Sequence, residues 1–262
     1  MASRILTDFD ADYSALGYGK GDSPFSIKPW AAYAFGAKHV DGCDVTNLQD
    51  FCGAQGAAVD TGTIADAADG YSSIFNYQNY REIPITATQW LQHNAGGSFA
   101  VMLKTPAGAY ASPFGGGSYV TPPSGKAAVA IYTDDVAGFH LQMCDSAGSK
   151  HDWAESFPGN ADTQWTMLAG VFTETSLQGF AENSAGRVTT APFVFTGADF
   201  SGATENIRVG YYYDTPTFYP GNSDIGLICL WDSNQTDYLN SATGGTFYAE
   251  LQAWWNEHGL GL

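Results

Sequence analysis

Positive charge is the scarcest commodity in this sequence. Ten Lys plus Arg face 27 Asp plus Glu across 262 residues, a formal net charge of −17. So acidic a surface repels phosphate, which argues against nucleic acid as a partner and, for the same electrostatic reason, against anionic lipid. Charged residues of both signs reach only 14%, too few for helical bundles built on Glu and Lys. Cysteine is sparse as well. Cys43, Cys52, Cys144 and Cys229 form no CxxC pair, which removes the usual zinc spacing. No run approaches the ~18 apolar residues of a membrane-spanning helix. The opening residues Met1–Asp10 hold no apolar core of the signal-peptide kind, so synthesis in a reducing cytosol without export is expected.

Aromatics (15%) and glycine (31 residues) are plentiful. Together they suit short strands joined by tight turns. Strand-like runs recur from residue 30 onward: Ala31–Phe35, Ser98–Lys104, Ala127–Tyr132, Phe139–Met143, Met167–Phe172, Phe193–Phe195, Ile207–Tyr213 and Ile225–Trp231. Their alternation places one face on a core and the other toward solvent. Turn formers separate them, as in Thr105-Pro-Ala-Gly108 and Pro122-Pro-Ser-Gly125. Many short strands with such punctuation predict an all-β antiparallel sandwich. One helix is predicted over Thr246–His258, with Phe247, Leu251 and Trp254 or Trp255 forming a packing stripe, Thr246 at its start and Gly259 after its end. Cys144 and Cys229 sit within strand runs and read as small buried apolar groups, whereas Cys43 and Cys52 are close enough in sequence to bridge.

The first 27 residues differ from the rest. Asp8, Asp10 and Asp12 precede Gly17, Gly19 and Gly21 with little periodicity, which reads as an extended N-terminal arm before a domain spanning 28–262. The Asp-x-Asp-x-Asp opening departs from an EF-hand at Tyr13 and Gly19, so a solvated segment is the better reading.

Several short motifs, in order, resemble the concanavalin A-like/laminin G-like family. Trp165–Phe172 is similar to its tryptophan-led strand, and Ser176–Asn183 to the strand that follows. Asn206–Tyr211 and Gly221–Asp232 resemble two later strands, and the closing helix resembles its C-terminal segment. Upstream, Asn47–Asp50, Gly53–Gly56 and Asn79–Pro84 are similar to an opening loop and strand. The likeness spans roughly residues 30 to 260; Ile225-Gly-Leu227 departs from the family's Ile-Asp-Glu, which leaves any role for those acids without support. The resemblance implies a jelly-roll sandwich with a short C-terminal helix.

This fold hosts lectins, receptor domains, glycoside hydrolases and viral modules, so the site must decide between them. Retaining glucanases of the fold carry alternating carboxylates on one strand. Asp134-Asp135 and Glu174 are the nearest candidates here, and each lies at a strand end without partners. No nucleophile elbow or phosphate loop occurs, and the five histidines are scattered. No catalytic function and no cofactor are therefore expected, with Ca²⁺ as the one ion the loop acids suit. Asp214, Asn222 and Asp224 are the candidate ligands, and Asp134 and Asp135 a further pair. Tyr211, Tyr212, Tyr213, Asp214, Phe218 and Tyr219 border a loop whose aromatics and acid suit glycan stacking and hydroxyl binding.

Segments such as Trp30–Phe35 and Asp50–Gly53 resemble laminin G-like proteins encoded by phages. That resemblance implies a virion structural protein, a capsid decoration or fibre-associated module attached through its arm and loops. Its expected partners are other virion proteins of capsid or tail, with a second copy of the chain and surface glycans as further candidates. The alternative is a carbohydrate-binding module.

Overall fold

The computed structural model describes residues 25–35, 58–70, 72–91, 96–104, 111–118, 127–134, 138–144, 150–160, 164–194, 203–211, 222–240 and 246–257. In chain order the strands are β1 (Ala31–Ala34), β2 (Val59–Thr61), β3 (Ala65–Asp66), β4 (Ser73–Phe75), β5 (Tyr80–Thr86), β6 (Gly96–Lys104), β7 (Ala111–Ser118) and β8 (Ala127–Thr133). They continue as β9 (Gly138–Cys144), β10 (Lys150–Ser156), β11 (Thr166–Thr173), β12 (Ser176–Asn183), β13 (Gly186–Thr189), β14 (Phe193–Val194), β15 (Asn206–Val209) and β16 (Ser223–Trp231). The helices are α1 (Ala87–Leu91), α2 (Thr236–Leu239) and α3 (Phe247–Glu257).

Two antiparallel sheets form the expected all-β sandwich. One has the order β13-β12-β11-β6-β16-β4-β3, with β1 added to β16 and β14 to β12; the other runs β10-β9-β8-β7-β15-β5-β2. Period-two alternation explains how they face each other. In β6, Phe99, Val101 and Leu103 point between the sheets, where they meet Phe114, Ile131, Leu141 and Ile207 from the second sheet. Trp90 of α1 is fully buried in the same layer, edge-on to Phe99, Phe114 and Phe172. Gly170 makes the stacking there possible: a Cβ at that position would lie 2.5 Å from the Phe99 ring.

The other face of the first sheet does not meet solvent as its alternation predicts. Ala100, Met102, Ala169, Leu227, Cys229 and Trp231 are covered by Phe247, Leu251 and Trp254 of α3 and by Tyr238 and Leu239 of α2, forming a second core. The helix stripe predicted from sequence therefore packs on the sandwich. A bulge at Gly226 sets this up, because the β16–β6 register shifts between Ile225 and Leu227. Ile225 and Ile228 then face the inner core while Leu227, Cys229 and Trp231 face the helix. Cys144 and Cys229 are buried and not joined in a disulfide, as expected; Cys43 and Cys52 lie outside the described residues.

Of the expected arm, residues 1–24 lie outside the described residues. Phe25 is 4% exposed and packs on Phe247 (4.9 Å between centroids) and Trp254 (6.3 Å). The Ser26 amide donates to Glu250 Oε2 (3.0 Å), and the carbonyl of Ile27 accepts from the Trp231 indole (3.1 Å).

Candidate functional site

Polar side chains on the outer face of the second sheet gather in two places. The first lies where β5 and β15 meet. Alternation in β5 sends Arg81, Ile83 and Ile85 inward and leaves Tyr80 and Glu82 on the outer face. In β15 it buries Ile207 and Val209 and leaves Asn206 and Arg208 outside. The antiparallel register sets Arg208 directly opposite Glu82. Arg208 Nε donates to Glu82 Oε2 (3.1 Å), Asn206 Nδ2 donates to Glu82 Oε1 (2.9 Å), and Arg208 Nη2 lies 3.6 Å from Glu205 Oε2. The guanidinium carbon sits 5.3 Å from the Tyr80 ring and 5.0 Å from the Tyr211 ring, which are themselves 4.8 Å apart.

The strand predicted over Ile207–Tyr213 ends at Val209. Gly210 takes φ +89°, a left-handed conformation that favours glycine, and a Cβ there would meet the Phe75 Cβ at 2.6 Å. This tight approach turns Tyr211 out toward the β4–β5 connection. That connection is rich in amides. Asn76 Oδ1 accepts from the Gln78 and Asn79 amides, Asn79 Oδ1 accepts from the Thr63 amide, and Asn76 Nδ2 donates to Asn222 Oδ1 (2.9 Å). One end of the sandwich thus presents Asn76, Gln78, Asn79, Tyr80, Tyr211 and Asn222 together, none of them buried.

Of the glycan candidates, Tyr212, Tyr213, Asp214, Phe218 and Tyr219 lie outside the described residues. The two residues that flank them, Tyr211 and Asn222, belong to the rim just described. Among the candidate Ca²⁺ ligands, Asp214 is likewise outside. Asn222 is engaged with Asn76, and Asp224 in β16 pairs with Lys104 Nζ at 3.3 Å. Burial pushes the Asp224 carboxyl upward, opposed by Lys104 and reinforced by Asp69. Tyr80 and Arg208 escaped sequence reasoning as site residues because only the β5–β15 pairing brings them together.

The second place is the outer face of β8, β9 and β10. Tyr132 and His140 stack with centroids 4.3 Å apart. His140 Nδ1 lies 3.2 Å from Asp152 Oδ1 and Nε2 lies 3.4 Å from Asp134 Oδ2, while the Tyr132 hydroxyl donates to Asp152. The two carboxylates therefore sit on opposite edges of the imidazole and do not converge on one point. Among the described residues no group of three His, Cys, Asp or Glu is disposed to hold a metal ion. Nor, among those residues, does a serine, threonine or cysteine side chain hydrogen-bond to His140 as a nucleophile would to its base.

The architecture places the chain among antiparallel β-sandwiches of jelly-roll type. Solved structures with that architecture include the receptor-binding domain of botulinum neurotoxin type G, with a TM-score of 0.56 and 11% identity over 86% of this chain and 51% of that one. The binding domain of botulinum neurotoxin DC, in complex with rat synaptotagmin II, matches at TM-score 0.58 and 9% identity over 84% of this chain and 51% of that one. A structure of botulinum neurotoxin type C, whose cell entry is described as dependent upon interaction with two ganglioside molecules, matches at 0.59 and 9% over 85% and 51%. The chain spans about half the length of these solved chains. At such identities the likeness defines the fold alone. No protein-family model and no curated protein matches the sequence.

Proposed function

We propose that this chain is a non-catalytic carbohydrate-recognition module, with its binding surface at the rim formed by Tyr80, Tyr211 and the amides of Asn76, Gln78, Asn79 and Asn222. The observation that carries the reading is the placement of two half-exposed tyrosines beside a row of side-chain amides at one end of the sandwich. Sugar rings offer apolar faces that stack on aromatics and hydroxyls that pair with amides. The structural neighbours support the same direction. They include a receptor-binding domain, and one is described together with gangliosides. Tyr212, Tyr213, Asp214, Phe218 and Tyr219 lie outside the described residues, in the stretch of sequence between Tyr211 and Asn222.

The test is a glycan array probed with the full chain, followed by calorimetry on any sugar that binds. Binding that is weakened about five- to tenfold by Tyr80→Ala or Tyr211→Ala supports the reading, since one aromatic contact is worth about 1 kcal/mol. Binding unaffected by both substitutions places the sugar elsewhere, and an array without any signal ends the proposal.

A second reading is a virion structural role, with the arm attaching the sandwich to a capsid or tail lattice. What favours it is the resemblance of Trp30–Phe35 to phage laminin G-like proteins, together with the docking of Phe25, the first described residue, onto α3. The two readings are compatible, because a virion surface module can also bind glycans. Removing residues 1–24 while keeping Phe25 tests the attachment; normal assembly of the truncated protein would rule the arm out.

A further inference from the structure

We infer that the sugar taken by the Tyr80–Tyr211 rim is uncharged, and that sialylated and uronic glycans are disfavoured there. This inference rests on the carbohydrate reading above and narrows it to a ligand class. An acidic sugar needs a cation whose hydrogen-bonding edge can turn to its carboxylate. Each described cation at this end of the sandwich is already committed to an acid. Arg208 is held by Glu82 at 3.1 Å and faces Glu205 at 3.6 Å, with its guanidinium against both tyrosine rings. Lys104 is held by Asp224 at 3.3 Å and lies over the Trp165 ring. Arg81 is fully buried on Asp60, between the sheets.

The balance of charge points the same way. Around the rim Asp60, Asp69, Glu82, Glu205 and Asp224 outnumber Arg81, Lys104 and Arg208, and the chain as a whole carries −17. An approaching carboxylate therefore meets a negative field, within a screening length of about 8 Å at physiological salt. The amides and tyrosine hydroxyls carry no charge, so hydrogen bonds from them to neutral hydroxyls are insensitive to ionic strength. The arrangement is thus selective by repulsion as well as by contact.

The experiment compares one neutral glycan with its sialylated counterpart, each titrated into the full chain at about 50 mM and about 500 mM NaCl. The expected result is neutral binding that changes less than about twofold with salt, and sialylated binding at least about fivefold weaker at low salt, the gap narrowing at high salt. Tighter binding of the sialylated glycan at low salt overturns the inference while leaving the carbohydrate reading intact. Binding of neither overturns that reading and this inference with it. The double variant Glu82→Gln, Glu205→Gln removes both acids from Arg208 and is expected to raise the ratio of sialylated to neutral binding about fivefold or more; an unchanged ratio overturns the inference that these acids close the rim to anions.

Discussion

The two sheets solve opposite problems with the same period-two alternation. The central strands of the first sheet are buried on both faces, one against its partner sheet and one against α2, α3 and Phe25, while its edge strands β3, β13 and β14 are exposed or half-buried. Its central strands read accordingly as near-continuous apolar runs, GGSFAVMLK in β6 and SDIGLICLW in β16. The outer positions of the second sheet are polar instead: half-buried Tyr80, Glu82, Asn206 and Arg208 on β5 and β15, and Tyr132, His140 and Gln142 on β8 and β9, where Tyr132 and Gln142 are buried. The difference separates tasks. The apolar outer face of the first sheet holds the helices, and the polar outer positions of the second carry the candidate recognition chemistry.

The comparison breaks first where cores are emptied. Trp90→Ala in the inter-sheet layer and Phe247→Ala under the helix are each expected to cost about 3–5 kcal/mol, read from urea midpoints. A loss below about 1 kcal/mol for Phe247→Ala would mean that the outer core contributes little, and the contrast between sheets would collapse. Gly170→Val, which drives a side chain into the Phe99 ring, is expected to cost about 1–3 kcal/mol by overpacking.

Alkaline pH probes the covered side from another direction. Burial, then the Glu250 carboxylate that accepts its hydroxyl at 2.5 Å, holds the Tyr238 phenol well above the ordinary range. Burial, then the charge of Glu182, pushes Tyr248 up to about 12. Both phenols have folded pKa values above the unfolded value of 10.0. Their contribution is therefore complete below that value and is lost as pH rises through the folded values. Thermal melts between pH 8 and pH 11 should show Tm steady at first and falling beyond about pH 10; a Tm that holds level to pH 11 would contradict the burial of these hydroxyls. Tyr248→Phe is expected to soften the fall. At neutral pH the same substitution should be neutral or slightly stabilising, because the buried hydroxyl makes no hydrogen bond among the described residues.

The smallest stability effects belong to the Tyr80–Tyr211 rim. Tyr80→Ala and Tyr211→Ala are expected to change unfolding free energy by no more than about 0.5 kcal/mol, even while they reduce sugar binding. A cost of 2 kcal/mol or more, on the order of a core deletion, would show the rim to be structural.

The sequence made the sandwich legible because its signals are local. Alternation in Ser98–Lys104 and Ile225–Trp231 places strands, and the Phe247, Leu251, Trp254 spacing places the helix. It misassigned the outer face of the first sheet to solvent, since alternation counts faces and does not say what covers them. Leu227 and Cys229 look like the far side of a half-buried strand until α3 is set over them. The rim was half visible. Tyr211 stood out beside its neighbouring aromatics, but Tyr80 and Arg208 lie far apart in sequence, and their meeting depends on a strand pairing that no local pattern encodes.

Trp90 and Trp231 join the layers in series. The Trp90 indole N–H donates to the Trp231 carbonyl at 2.7 Å, and the Trp231 indole N–H donates to the Ile27 carbonyl. Tension applied through the N-terminal segment would therefore pass at once into the helix-covered layer and the sandwich interior. A pull applied at Phe25 would be borne first by its contacts with α3 and by the two indole hydrogen bonds.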